Sequence, residues 1–242
     1  MKVLAVDCGN TRIKYTLSDA GPGKVESMPL GETAAAMAAR WNALRKEGGE
    51  PQRIMISNVA GDGVAASLAQ SLQVFAVAPE WVRPRGRQCG VVNCYDDPAQ
   101  LGSDRWAAAI AAWNLERDVC LVVNAGTATT IDAVSQRGEF LGGLILPGLS
   151  MMRASLAAGT AALPLADGQA TEFPRNTADA IWNGCLAAQT GAIERMWRSL
   201  PESATCLLSG GAAPALYAAL NMPCLVVDNL VLEGLLLIAR EQ

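Results

Sequence analysis

The chain has 242 residues, 51 % of them hydrophobic and 17 % charged, with a formal net charge of −4. This describes a well-buried globular protein of one large or two small domains, and its acidic balance argues against nucleic acid as the main partner. Histidine is absent, which excludes Ser-His-Asp and Cys-His catalysis, argues against structural zinc, and leaves a carboxylate as the readiest general base.

Apolar and β-branched runs predict strands near residues 2–7, 12–17 and 24–29, an Ala-rich helix over 33–46, a strand at 53–57, a helix over 64–72 and a strand at 74–77. The stretch 79–98 is rich in Pro, Gly and Arg and reads as a long loop, with Arg83, Arg85 and Arg87 a solvated basic run. A helix starting near Ser103 places Trp106, Ile110 and Trp113 on one face. A second α/β unit opens after residue 118, and the apolar run 235–239 reads as a buried helix. The six tryptophans (Trp41, Trp81, Trp106, Trp113, Trp182, Trp197) read as core or dimer packing. No stretch approaches a membrane span, and the N-terminal apolar run is too brief for a signal peptide. Seven cysteines, an odd number without a C-x-x-C pair, read as free thiols in a reducing cytoplasm.

The most informative segment runs from Val3 to Tyr15: an apolar strand, then Asp7, a Gly9-Asn10-Thr11 turn, and a second strand carrying Lys14. A carboxylate at a strand end suits magnesium, a hard cation that prefers oxygen. Glycine lets backbone N–H groups approach a phosphate, while Thr11 and Lys14 add a hydroxyl and a positive charge. An Asp-x-Gly-Asn turn also closes ordinary hairpins, so this segment alone admits both readings. The pattern recurs 117 residues later, where an apolar strand ends in Asn124, Gly126 and a short polar turn. The strand ending at Ser57 likewise has a counterpart ending at Ser209. A duplicated α/β unit follows, with a cleft between its copies. A Rossmann reading is disfavoured, because no G-x-G-x-x-G follows the first strand.

Six motifs then stand in order: Asp7-x-Gly-Asn-Thr-x-x-Lys14, Asn93-x-Tyr95-x-x-Pro98-x-x-Leu-Gly102-x-Asp104-Arg105, Gly126-Thr-Ala-Thr-Thr-x-Asp132, Gly142-Gly-x-Ile-x-Pro-Gly148, Asn176-Thr177 and Ser209-Gly-Gly211. Together they resemble the type III pantothenate kinases, to which the Bvg accessory factors are similar, within the acetate and sugar kinase, Hsp70 and actin superfamily. The resemblance implies an α/β fold of two duplicated ribonuclease H-like (actin-like ATPase) domains, 1–116 and 117–242, with an inter-domain nucleotide cleft. It implies ATP-dependent phosphorylation of pantothenate, the first step towards coenzyme A, by a cytoplasmic homodimer. An inactive nucleotide-binding regulator on the same scaffold, or a kinase of another small hydroxy acid, is the alternative.

By the same resemblance Asp7 positions Mg2+, and Cys8, Gly9, Asn10, Thr11, Arg12, Ile13 and Lys14 form the phosphate loop for ATP. Thr127 contacts ATP from the second domain, and Gly210 and Gly211 leave room for adenosine. Asp104 is the implied base, and Tyr95, Gly102, Ser103, Arg105 and Thr177 line the pantothenate pocket, Arg105 pairing with the substrate carboxylate. Spacing alone allows plainer roles: Ser103 or Asp104 as a helix cap, Arg105 in a surface ion pair, Thr177 as a solvent-facing cap. Asn124 departs from the aspartate that many family members use for a monovalent cation (K+ or NH4+), and Asp132 is either a second-shell magnesium partner or a strand end.

Overall fold

A computed structural model describes residues 1–21, 23–165 and 167–241. The chain forms two compact units: residues 1–115, 138–140 and 229–242, and residues 116–137 and 141–228. Set beside the expected division at 116/117, the first unit also takes in the C-terminal helix.

The first unit begins with strands β1 (Val3–Cys8), β2 (Arg12–Ser18) and β3 (Glu26–Pro29), helix α1 (Ala34–Gly48), strand β4 (Arg53–Asn58), helix α2 (Asp62–Ser71) and strand β5 (Pro79–Trp81). They build a five-stranded sheet in the order β3-β2-β1-β4-β5, with β1 antiparallel to β2 and parallel to β4. Thr33 starts α1 by accepting a hydrogen bond from the Ala36 N–H at 3.2 Å, and Gly49, at φ 84°, ends it. The apolar face of α1 covers the sheet. Trp41 meets Tyr15 edge-on at 4.7 Å and donates its indole N–H to the Ser71 hydroxyl at 2.9 Å, which satisfies the one polar atom of a fully buried side chain.

Two expectations fail between residues 72 and 98. The strand at 74–77 is instead a 3₁₀ turn, Leu72–Val74, and the edge strand β5 starts at Pro79, where a missing N–H costs no ladder bond. The long loop contains a small hairpin, β6 (Arg87–Gln88) and β7 (Val91–Asn93), turned by Cys89 and Gly90 at φ 48° and 84°. Helix α3 (Ser103–Glu116) supports that hairpin with the tryptophan face read from sequence. Trp106 donates to Gln88 Oε1 at 3.0 Å, and the Trp113 ring fills the place a side chain on Gly90 would need. Arg83, Arg85 and Arg87 are exposed, as expected of a solvated run.

The second unit contains β8 (Cys120–Ala125), β9 (Ala128–Val134), most of β10 (Glu139–Pro147), α4 (Leu149–Gly159), α5 (Thr177–Trp197), β11 (Thr205–Ser209), α6 (Ala213–Tyr217) and β12 (Cys224–Val226). Its strands lie in the order β10-β9-β8-β11-β12, with β8 antiparallel to β9 and parallel to β11. The duplicated topology read from the sequence is therefore present strand for strand. The buried side of α5, including Ile181, Cys185 and Ile193, packs with Leu121, Val123 and Ile131 of β8 and β9. The last helix, α7 (Leu230–Arg240), is buried along most of its length, as its apolar run predicts. It lies against α3 closely enough that a side chain on Gly234 would overlap the Ala107 backbone.

Candidate functional site

In the first unit, Asp7 sits near the end of β1, paired in register with Lys14 on β2 and with Ser57 on β4. The turn after it is closed by the Gly9 N–H to the Arg12 carbonyl at 3.1 Å. Asn10, Thr11 and Arg12 are exposed at this turn, whereas Cys8 and Ile13 are fully buried. Those two face the core, so only their backbone is presented at the loop. Arg12 folds across the sheet edge and donates to the Ser27 hydroxyl at 2.7 Å.

A contact absent from the sequence reading links this strand end to α3. Ser57 and Ser103, both buried, share a hydrogen bond of 2.9 Å. Ser57 is the register neighbour of Asp7, so the bond fixes the first turn of α3 beside the Asp7 strand. The only sequence signal was that the strand of Ser57 had a counterpart ending at Ser209.

The next residue, Asp104, accepts from its neighbour's N–H, that of Arg105, at 2.8 Å. Gly102 leaves space for this carboxylate: a Cβ there would lie 2.6 Å from Asp104 Oδ1. A helix N-terminus is expected to hold a carboxylate ionised and weakly basic. Burial here outweighs the Arg105 N–H and guanidinium, and the Asp104 carboxyl rises above its ordinary value. Asp7 is raised further, to about 7, first by burial and then by the negative charge of Asp104, with Lys14 opposing. Two carboxylates thus feel one another within this unit.

Arg105 corrects the surface ion-pair alternative. It is buried, donates to the Tyr95 hydroxyl at 2.7 Å, and lies over the Tyr95 and Phe140 rings, 5.6 and 5.7 Å from their centroids. Asn93, also buried, shapes the preceding loop by accepting from the Tyr95 N–H at 3.1 Å and donating to the Pro98 carbonyl at 3.3 Å. Phe140 carried no functional signal in the sequence.

In the second unit, Asn124 occupies the place of Asp7, paired with Thr130 on β9 and Ser209 on β11. The Gly126 N–H closes the turn onto the Ala128 carbonyl at 3.0 Å, with Thr127 at its tip. Gly210 has φ 101° and no room for a side chain against the Ala125 backbone, so packing already requires a glycine there. A Cβ on Gly211 would meet nothing within 4 Å, so open space belongs to Gly211 alone. Asp132 lies buried in mid-strand, not at a strand end.

Thr177 is the first residue of α5, but the cap is Asn176, which accepts from the Asp179 N–H at 2.9 Å. Thr177 instead lines a cavity of about 910 Å³. Met152, Leu156, Leu163 and Ile181 give that cavity apolar walls, and Arg175 and Asn176 give it polar ones.

Comparisons with known proteins agree with these motifs. Residues 3–199 match the family described as type III pantothenate kinase. The type III pantothenate kinase of Nitrosospira multiformis is 48 % identical over 99 % of this chain and 91 % of its own length. That of Aromatoleum aromaticum is also 48 % identical, over 99 % and 98 %. Among solved structures, a Baf family transcriptional activator from Campylobacter jejuni superposes with a TM-score of 0.62 at 20 % identity, covering 98 % of this chain and 97 % of that one. A polyphosphate/ATP-glucomannokinase from Arthrobacter gives 0.53 at 14 %, covering 98 % of each. These structural likenesses show the sugar kinase and actin-like ATPase fold. The chain belongs to the type III pantothenate kinase family.

Proposed function

We propose that Asp104 is the base in the reaction of this type III pantothenate kinase, the ATP-dependent phosphorylation of pantothenate in coenzyme A biosynthesis. The observation that carries the proposal is a half-buried carboxylate, raised above its ordinary value, at the start of a helix pinned beside Asp7 by the Ser57–Ser103 bond. Phosphoryl transfer has a loose transition state and asks little of a base beyond position, so a well-placed aspartate suffices to take the hydroxyl proton.

The donors around Asp7 fit magnesium. They are carboxylates with no histidine or thiolate ligand set, and no group of three or more His, Cys, Asp or Glu able to hold a metal occurs among the described residues. Magnesium keeps several waters and binds through one or two carboxylates plus the substrate's phosphates, unlike the closed cages of zinc. Asp7 would hold it, and the ion when bound would neutralise phosphate charge. The Gly9–Thr11 backbone and Lys14 hold the ATP phosphates; Thr127 is read as an ATP contact, and Gly211, with open space around it, as room for the adenosine. Arg105, oriented by Tyr95 and stacked on Phe140, recognises the pantothenate carboxylate, a task suited to a planar guanidinium. Thr177 contributes at the cavity beside α5.

Asn124 offers an amide oxygen without charge, which argues against a strong requirement for K+ or NH4+ at this position and leaves other groups to supply any such dependence. A homodimer is supported by exposed apolar side chains of the second unit, among them Leu144, Ile145, Met151 and Phe173. A cytoplasmic location accords with seven free cysteines. Incubating the protein with Mg-ATP and pantothenate, and weighing the products, tests the assignment. 4′-Phosphopantothenate is expected; intact ATP binding without product under varied monovalent cations would overturn it.

A further inference from the structure

The carbonyl of Pro147, the last residue of β10, is reached from α5, 42 residues further along the chain. Gln189 donates to it from Nε2 at 2.6 Å, with Met152 Sδ 3.2 Å from the same nitrogen. Gln189 is fully buried, and its Oε1 accepts no hydrogen bond among the described residues. Leucine or methionine would occupy the same apolar surroundings without an unpaired oxygen. What the amide adds is the N–H to Pro147.

The neighbour of Pro147 carries this contact onward. Gly148 donates its N–H to the Thr127 carbonyl at 2.8 Å, and a side chain on Gly148 would overlap the carbonyls of Gly126 and Thr127. The turn and the strand end therefore touch backbone to backbone, a contact that passes on any displacement. The first repeat shows the same backbone bond, Leu30 N–H to the Thr11 carbonyl at 3.1 Å. There, however, the carbonyl of the strand-ending Pro29 is met from its own turn, by the Glu32 N–H at 3.4 Å. A helix-borne side chain does this task in the second repeat.

We propose that Gln189 is a positioning residue for nucleotide binding, setting the Gly126–Thr127 turn through Pro147 and Gly148. The inference rests on the reading of Thr127 as an ATP contact. Three variants, Gln189→Met, Gln189→Glu and Thr127→Ala, separate the two ideas when KM for ATP, KM for pantothenate and kcat are measured together. Gln189→Met removes the donor at nearly constant volume. It is expected to raise KM for ATP by about tenfold, with kcat and KM for pantothenate changing much less. Gln189→Glu keeps a donor only while its buried carboxyl is protonated. Its KM for ATP is therefore near that of the unaltered protein at low pH and rises with pH, a dependence absent from Gln189→Met. A merely structural role would lower the amount of active protein, and so apparent kcat, without this split or this pH dependence. Equal effects on both KM values, or an unchanged KM for ATP in Gln189→Met and a pH-independent one in Gln189→Glu, would overturn the proposal. If Thr127→Ala leaves KM for ATP unaltered, the reading of Thr127 has failed, whatever Gln189 does.

Discussion

The two β-hairpins at Asp7 and Asn124 share one strand pairing but differ in chemistry. Each central strand pairs antiparallel with the next strand and parallel with a later one, and each places a serine, Ser57 or Ser209, in register with the residue of interest. The first hairpin sets a carboxylate beside Lys14. The second sets an amide beside Thr130. Their turns differ too: four residues separate Cys8 from Ile13, and three separate Ala125 from Thr129. The two copies thus share a backbone frame, while a carboxylate at the end of the central strand occurs in the first copy, where Asp104 also lies.

Removing charge from the first unit should have the largest consequence. Asp104→Asn is expected to lower kcat by about 10²–10⁴ while ATP binding persists, and equilibrium binding of a fluorescent ATP analogue beside turnover checks both halves. Unchanged turnover would remove Asp104 from the role of base.

Asp7→Asn makes the first hairpin chemically like the second. The magnesium concentration at half-maximal velocity should rise by about tenfold or more. The same variant has a pH signature in magnesium-free buffer. Because burial lifts folded Asp7 from 3.8 to about 7, the native state holds more protons than the unfolded chain between those values. This group's contribution is therefore most favourable below about 4 and is lost as pH rises through about 7. Thermal melts between pH 5 and 8 should fall more steeply for the unaltered protein than for Asp7→Asn. Parallel curves would show that Asp7 is not the group responsible.

The reverse exchange, Asn124→Asp, should have the smallest effect. It restores a negative charge at the second hairpin and is expected to lower the K+ concentration giving half-maximal turnover by roughly threefold. A titration with KCl at fixed ionic strength reads this directly. No shift would mean that the charge at this position does not govern cation use.

Much of this was legible before folding was considered. Strands alternate or run apolar, α3 places its tryptophans at helical spacing, and the two Gly-turn hairpins repeat at half the chain length, so element order and duplication follow from local pattern. Other features were hidden because they depend on partners distant in sequence. Pro79 reads as a loop residue until a sheet edge exists to accept it. Arg105 reads as a surface charge until Tyr95 and Phe140 enclose it. Gln189 carries no sequence signal, since a glutamine in a helix is ordinarily solvated.

The sequence by itself determined the duplicated frame, the absence of any histidine chemistry, and the set of acids and hydroxyls available to a kinase. Those are matters of composition and of short-range periodicity. Tertiary structure alone decided how these groups behave. Burial, which no single residue carries, lifts Asp7 and Asp104 above ordinary carboxylates, and the Ser57–Ser103 bond brings β4 and α3 together across 46 residues. The strength of an acid and the position of a helix are properties of what surrounds them, and the surroundings exist only once the chain has folded.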